Sequence, residues 1–252
     1  MSGYRIFVYF TPDELPATRS LTQSCAVVID VLRASTTVAT ALKNGCKEIV
    51  PVETVDQAFS LAGTFDRQNV LLCGERKGHK VAGFDLGNSP REYSKRTVEN
   101  KTIILTTTNG TRALLKAKKA EKCFVLSLIN LSSVRKMFSE NAADVHIICA
   151  GREGDYSLED TFCAGSLIRE LQVYHSGRLV RGNQQAVHAI ELAEKYNDSY
   201  LEVLQQSEHG KYLESIGYEK DLIFCARRNA IPIVPIYKNG KIICERKTEH
   251  QT

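Results

Sequence analysis

The sequence contains no tryptophan, only two methionines and only six prolines in 252 residues. Other absences say more. No run approaches the ~18 consecutive apolar residues of a membrane span, so no transmembrane segment and no membrane partner are expected. The opening "MSGYRIFVYF" alternates and carries Arg5 where a secretory leader would be apolar, so none is expected. None of the eight cysteines forms a C-x-x-C pair, which removes the main support for a zinc ribbon or a thioredoxin-type site. Most cysteines lie in apolar runs such as "IICAG" and "LIFCA", where they act as small hydrophobes, and a reduced, cytoplasmic protein is expected. The net charge of +4 is slight, and no Lys/Arg cluster is long enough for a nucleic-acid face. The densest basic run, "KAKKAEK" (Lys116–Lys122), reads as the solvated C-terminal end of a helix.

Familiar catalytic signatures are missing too. There is no G-x-x-x-x-G-K-[ST], no G-x-G-x-x-G after a strand and no G-x-S-x-G. "VVIDVLRAST" lacks the second acid of an Asp-x-Asp phosphatase strand, because Leu32 stands there. Cys163 to Arg169 fits the Cys-x5-Arg spacing of cysteine-dependent phosphatases. With eight cysteines that match is weak, and a continuous helical pattern puts Cys163 on a packed face.

What is present is alternation. Strands are expected at 4–10, 25–31, 48–52, 69–74, 101–107, 123–128 and 144–150. Helices are expected at 34–45, 54–65, 109–120, 131–141 and 158–175, with Thr54 capping the second. The strands are apolar throughout rather than alternating, which predicts burial on both faces. The fold class is therefore α/β, a layered α/β/α arrangement with a mostly parallel or mixed sheet. After residue 180 the texture changes to helical segments and a hairpin around Asn239-Gly240, within 231–243. With no linker and no repeat, one compact unit over 1–252 is expected. The change near 180 would divide it into an α/β core, 1–180, and a C-terminal segment, 181–252.

In an open α/β sheet, ligands bind beyond the C-terminal ends of strands. Arg33, Ser35 and Thr36 follow one strand, and Thr108, Asn109, Gly110, Thr111 and Arg112 follow another. Arginines and hydroxyls at helix starts suit phosphate or sulfonate. Asp30, Glu75, Asp85, Glu159 and Asp160 lie in neighbouring loops. Carboxylates beside a phosphate need a cation between them, which points to phosphoryl chemistry with Mg²⁺. Each residue also has an ordinary reading: Ser35, Thr36 and Thr111 as helix caps, Asp30–Arg33 as an ion pair, Glu159 and Asp160 as acids at a helix start.

The stretches "VVIDVLRASTTVATAL", "CGERKGHKVAGFDLGNSPREY", "TTTNGTRAL" and "CAGREGDYSLEDTFCAG" together resemble the 2-phosphosulfolactate phosphatases. The resemblance runs in order from Ala26 to Gly165 and continues more loosely through "SEHGKYLESIGYEKDLIFCA" and "IPIVP". It implies a Mg²⁺-dependent acid phosphatase with an α/β fold of its own type. The namesake reaction converts (R)-2-phospho-3-sulfolactate to 3-sulfolactate and phosphate, a step toward coenzyme M. On that basis Asp30, Glu159 and Asp160 are expected to hold Mg²⁺. Arg33, Ser35, Thr36, Thr108, Asn109, Gly110, Thr111 and Arg112 would hold phosphate and sulfonate. "GFDLGNSP" would close over the site, with Asn88 and Ser89 donating hydrogen bonds. Two mechanisms stay open: attack by Asp30, or attack by water with Glu75 or Asp85 as base. His79 is a candidate proton donor and, as a lone loop histidine, is better read as incidental. The expected partner is a small anionic substrate, with oligomerisation left open. Two other readings remain: a phosphatase of another phosphorylated 2-hydroxy acid, and a non-enzymatic receptor for such acids.

Overall fold

The computed structural model describes residues 4–16, 21–138, 143–174 and 179–244. Its strands are β1 (Tyr4–Tyr9), β2 (Cys25–Ile29), β3 (Glu48–Pro51), β4 (Val70–Arg76), β5 (His79–Lys80), β6 (Thr102–Thr106), β7 (Lys122–Leu126), β8 (Val145–Cys149), β9 (Leu179–Arg181), β10 (Pro235–Lys238) and β11 (Lys241–Cys244). They join in one mixed sheet of order β5-β4-β6-β3-β11-β10-β7-β2-β8-β1-β9. Strands β4, β6 and β3 form one parallel block, and β7, β2, β8, β1 and β9 form another. The β10–β11 hairpin lies between the blocks, antiparallel to β7 on one side and to β3 on the other. Counted through these pairings, the two blocks run in opposite senses.

The helices are α1 (Ala34–Lys43), α2 (Val55–Ala62), α3 (Lys95–Val98), α4 (Gly110–Lys116), α5 (Leu131–Arg135), α6 (Leu158–Tyr174), α7 (Gln184–Tyr196), α8 (Tyr200–Gln206), α9 (Glu208–Ser215) and α10 (Glu219–Cys225). Period-two side chains explain the layers. Val27 and Ile29 of β2, Phe124 and Leu126 of β7 and Val145 and Ile147 of β8 face the core covered by α5 to α10. Their neighbours Ala26, Val28, Val125 and Ile148 face a second core with α1 and α4. That second core also takes Ile49, Ile103 and Leu105 from the other block, so both blocks close on the same two helices. Ile104, on the opposite face of β6, packs under Ala58 of α2. No described helix is long and apolar enough to cross a membrane.

The layered α/β class and the expected strands are all present. The expected helix at 131–141 extends over Leu131–Arg135, and its last residues, 139–141, lie outside the described residues, as does residue 175 of the helix expected at 158–175. Thr54 caps α2 through a reciprocal capping box with Gln57. The helical stretch after residue 200 breaks at Ser207, whose hydroxyl accepts from Gly210 N–H and starts α9 afresh. The hairpin sits at Asn239-Gly240 as expected, with Asn239 at φ 52° and Gly240 at φ 78°, the left-handed turn that dipeptide favours.

Helices α6 and α7 are in backbone contact at Gly165. A Cβ there would run into the Ala189 carbonyl oxygen and lie 3.0 Å from the Ala193 Cβ. Gly165→Ala must push the helices apart, and a loss of about 3 kcal/mol or more is expected from such overpacking. Urea unfolding measures it; an unchanged midpoint would mean that the helices are not this close.

Candidate active site

The turn from β2 into α1 is tied by its own polar groups. Asp30 N–H donates to Ser35 Oγ at 3.0 Å, and Ala34 N–H donates to Asp30 Oδ1 at 3.0 Å. The free N–H end of α1 is therefore capped by the Asp30 carboxylate. From the other block, the start of α4 presses on the same group. A Cβ on Gly110 would lie 2.6 Å from Asp30 Oδ2 and 2.7 Å from the Ala34 Cβ, so only glycine fits this approach.

Asp160, in the first turn of α6, reaches back across two strands. Its Oδ1 accepts from Val31 N–H at 2.8 Å and its Oδ2 from Gly151 N–H at 3.3 Å. Glu159 precedes it and is equally buried. Its Oε2 has no hydrogen-bond partner, and its Oε1 is 3.8 Å from His209 Nδ1 on α9. Glu75, at the end of β4, is gripped by the neighbouring loops. Thr108 N–H donates to Oε1 at 2.8 Å and Gly78 N–H to Oε2 at 2.9 Å.

Asp30, Glu75, Glu159 and Asp160 are thus four buried carboxylates from three places: just after β2, at the end of β4 and in the first turn of α6. Burial pushes the Asp30 carboxyl up to about 7; the Ala34 N–H opposes this, while Glu75 and Glu159 add to it. Burial also raises Glu159, and raises Asp160 well above the usual range with Glu159 and Asp30 adding to the effect. Like charges this close cannot all ionise freely without a counter-cation. His209 is pushed down to about 3 by burial and then by Arg33 and Arg152, so it stands neutral.

Two cavities adjoin the cluster. One, of about 290 Å³, is lined by Glu75, Lys77, Thr108, Asn109, Arg152 and Tyr212, among others. The second, of about 210 Å³, is lined by Ser157, Glu159, Ser207 and Glu208, among others. Arg152 and His209 line both.

The model of the family described as 2-phosphosulpholactate phosphatase matches residues 9–240, a span holding all four carboxylates and α9. The chain belongs to this family. It is 38% identical to a Clostridium beijerinckii protein named "Probable 2-phosphosulfolactate phosphatase", over 96% of this chain and 100% of that one. Proteins of the same name from Caldanaerobacter subterraneus and Thermotoga maritima are 40% and 39% identical, over 88% and 86% of this chain and 91% of each relative.

Within this member of the 2-phosphosulpholactate phosphatase family, Asp30, Glu75, Glu159 and Asp160 come together, and Asp85 stands apart. Asp85 pairs with Arg67 and accepts from Leu72 N–H at 2.8 Å, clamping its loop to the middle of β4. Arg33 is buried beside Asp30's loop but is spent. It donates to Asp221 Oδ2 at 2.8 Å and to Gly78 O at 2.7 Å, and stacks on Tyr218. Arg112 turns away to Asp13, with contacts of 2.7 and 2.6 Å.

The expected hydroxyls are also engaged inside the protein. Ser35 holds Asp30 N–H. Thr36 donates to Val31 O at 2.9 Å and meets Ser127 Oγ at 2.6 Å. Thr111 bonds back to Thr107 O at 2.9 Å, and Ser89 donates to Asp221 Oδ1 at 2.7 Å. Asn88 is buried with its Oδ1 unpartnered. Thr108 and Asn109 do line the larger cavity, where Asn109 Oδ1 accepts from Glu153 N–H at 3.0 Å. His79, on β5, is exposed and outside the lining of both cavities.

Sequence reasoning assigned no role to Asp221, Arg152 or His209. Asp221 and His209 lie far in sequence from Arg33 and Glu159, the residues they meet, while Arg152 stands near Glu159 in sequence but carries no motif that marks it. Cys163 is fully buried on α6 and its thiol is raised by burial, so it has no thiolate character.

Proposed function

We propose that the chain is a Mg²⁺-dependent phosphatase that hydrolyses (R)-2-phospho-3-sulfolactate to 3-sulfolactate and phosphate, acting in a reduced cytoplasm on the route to coenzyme M. The observation that carries this reading is the set of four buried carboxylates beside two cavities, with the buried Glu159 Oε2 unpartnered among the described residues. The donors are all hard oxygens, the set that suits Mg²⁺. Among the described residues, no three of these groups stand close enough to hold an ion by themselves. Mg²⁺ tolerates that, because it keeps waters and takes substrate phosphate as further ligands. Asp30 Oδ2 and Glu159 Oε2 accept no hydrogen bond among the described residues, so these two residues would hold the ion. Asp160, with both oxygens on backbone N–H groups, would stand behind them.

Bound there, the metal would supply charge neutralisation at the phosphoryl oxygens. Glu75 faces the larger cavity with its carboxylate fixed by Thr108 and Gly78, the placement required of a base. A water attacks phosphorus and gives its proton to Glu75. The ester P–O bond breaks, and the leaving alkoxide takes a proton from solvent. With Oδ1 holding the Ala34 N–H and Oδ2 assigned to the ion, Asp30 would have no oxygen left for direct attack.

The test is phosphate release from racemic 2-phospho-3-sulfolactate, 2-phospholactate and phosphoglycolate, with Mg²⁺ and with EDTA. Mg²⁺-dependent release is expected, fastest from the sulfonated ester. Tight binding without release from any of the three would replace the enzyme by a receptor.

A further inference from the structure

The cations near the carboxylate cluster differ in what they have left to offer. Arg33 is committed to Asp221 and Gly78. Arg76 is committed to Glu75 O at 2.7 Å and Thr106 Oγ1 at 2.9 Å. Arg112 is committed to Asp13. Arg152 is not. Its guanidinium makes no hydrogen bond among the described residues. It lies over the Tyr212 ring at 5.3 Å, and its nearest acid is Glu208 at 3.9 Å, on a side chain 86% exposed to solvent. An ion pair that long and that wet holds little.

Position gives those spare donors a use. Arg152 forms part of the wall between the two cavities, one touching Glu159 and the other Glu75. Besides Arg152, the charged groups that line the two cavities among the described residues are the acids Glu75, Glu153, Glu159 and Glu208, with Lys77 the one other permanent cation. Lys77 stands at the rim of the larger cavity, its backbone pinned by the Tyr212 hydroxyl donating to Lys77 O at 2.9 Å. Its ammonium has no ion pair among the described residues.

We propose that Arg152, assisted by Lys77, is the specificity-determining residue of this site and holds the second strong-acid group of the substrate, a sulfonate one carbon away from the phosphorylated carbon. The inference rests on the phosphatase reading. The phosphate is met by the cation that the carboxylates gather, which leaves the second anion to be matched by the protein itself. A sulfonate is ionised at every working pH and presents three oxygens. A guanidinium is likewise always charged and donates in a planar fork. The Tyr212 ring, 5.3 Å from the guanidinium carbon, gives that group a cation–π contact that limits the freedom lost when an anion docks. An ester with a methyl group in place of the sulfonate methylene leaves the fork facing an apolar group, and discrimination follows from the unpaired charge.

The experiment compares kcat and KM of the full chain and its variants on 2-phospho-3-sulfolactate and 2-phospholactate. The parent is expected to prefer the sulfonated ester. Arg152→Gln is expected to shrink that preference about 10- to 100-fold, the loss of a charge-assisted contact, mainly by raising KM for the sulfonated ester. Arg152→Lys should restore part of it, and Lys77→Gln should cost less than Arg152→Gln. A preference unchanged in Arg152→Gln overturns the proposal. So does an equal loss on both esters, which would put Arg152 on the phosphate. Calorimetric titration with 3-sulfolactate and with lactate gives a second readout independent of turnover. If the parent releases no phosphate, the phosphatase reading fails while sulfolactate binding that Arg152→Gln abolishes would uphold the anion site. Equal binding by parent and variant, or none by either, would overturn it.

Discussion

Asp30→Asn is expected to lower kcat by about 10²- to 10³-fold or more while leaving the fold as stable as the parent, or more stable. Asparagine keeps the oxygen that accepts the Ala34 N–H and removes the charge that burial opposes. The sign of the stability effect follows from the raised carboxyl. Folded Asp30 titrates at about 7 rather than 3.8. Its favourable contribution is therefore complete below its unfolded value, and it is lost as pH rises through about 7. Above that the metal-free parent carries an ionised Asp30 against Glu75 and Glu159, and the variant does not. Melting curves without metal should show the variant gaining on the parent from pH 5 to pH 8. Adding Mg²⁺ at pH 8 should raise the parent's Tm and leave the variant's nearly fixed. Parent-like kcat with parent-like Mg²⁺ dependence would remove Asp30 from the reaction.

Asp221→Ala should be the most destabilising change among the charged residues. Asp221 and Arg33 pair at 2.8 Å with side chains only 1% and 2% exposed. Removing the carboxylate leaves a guanidinium buried without its counter-charge, which costs about 3–5 kcal/mol. For a chain of this size that is a fall in Tm of about 10 °C or more. Activity should fall with it. Arg33 also fixes Gly78 O, and Gly78 N–H fixes Glu75, so the pair orients the proposed base through one short loop. Replacing both partners by apolar residues, Arg33→Met with Asp221→Leu, should recover much of the Tm and none of the activity, because Glu75 loses its support. A single variant that melts like the parent would show that water reaches Arg33 and the pair contributes nothing.

The sequence made the layers legible because strands buried on both faces carry unbroken apolar runs. "CAVVI", "TIILT" and "VHIIC" are such strands, and every one of them lies in the sheet. The Asn239-Gly240 turn was legible for an equally local reason. Its location was not. Nothing in "IPIVPIYKNGKII" states that the hairpin is inserted between β3 and β7, since register with strands more than a hundred residues away depends on tertiary packing.

The candidate site divides in the same way. Asp30, Glu75, Glu159 and Asp160 could be read from acids following strands. The roles of Ser35, Thr36, Thr111 and Arg33 could not, because a hydroxyl or guanidinium at a helix start looks the same whether it binds a ligand or the protein. For Arg33 a long-range partner decides, since Asp221 lies 188 positions away. Arg152 escapes sequence reading for the opposite reason. Its significance is that it has few partners.

The insertion of β10 and β11 bears on how a chain like this is made. A ribosome delivers β3 and β7 long before residues 235–244 emerge. Until then both parallel blocks present a bare inner edge, open to strand addition from a neighbouring nascent chain. The last of the described strands to leave the tunnel are the ones that suture the two halves. Chains cut short before residue 235 would therefore keep nearly all of the apolar core sequence and still leave two unpaired edges, making them templates for aggregation.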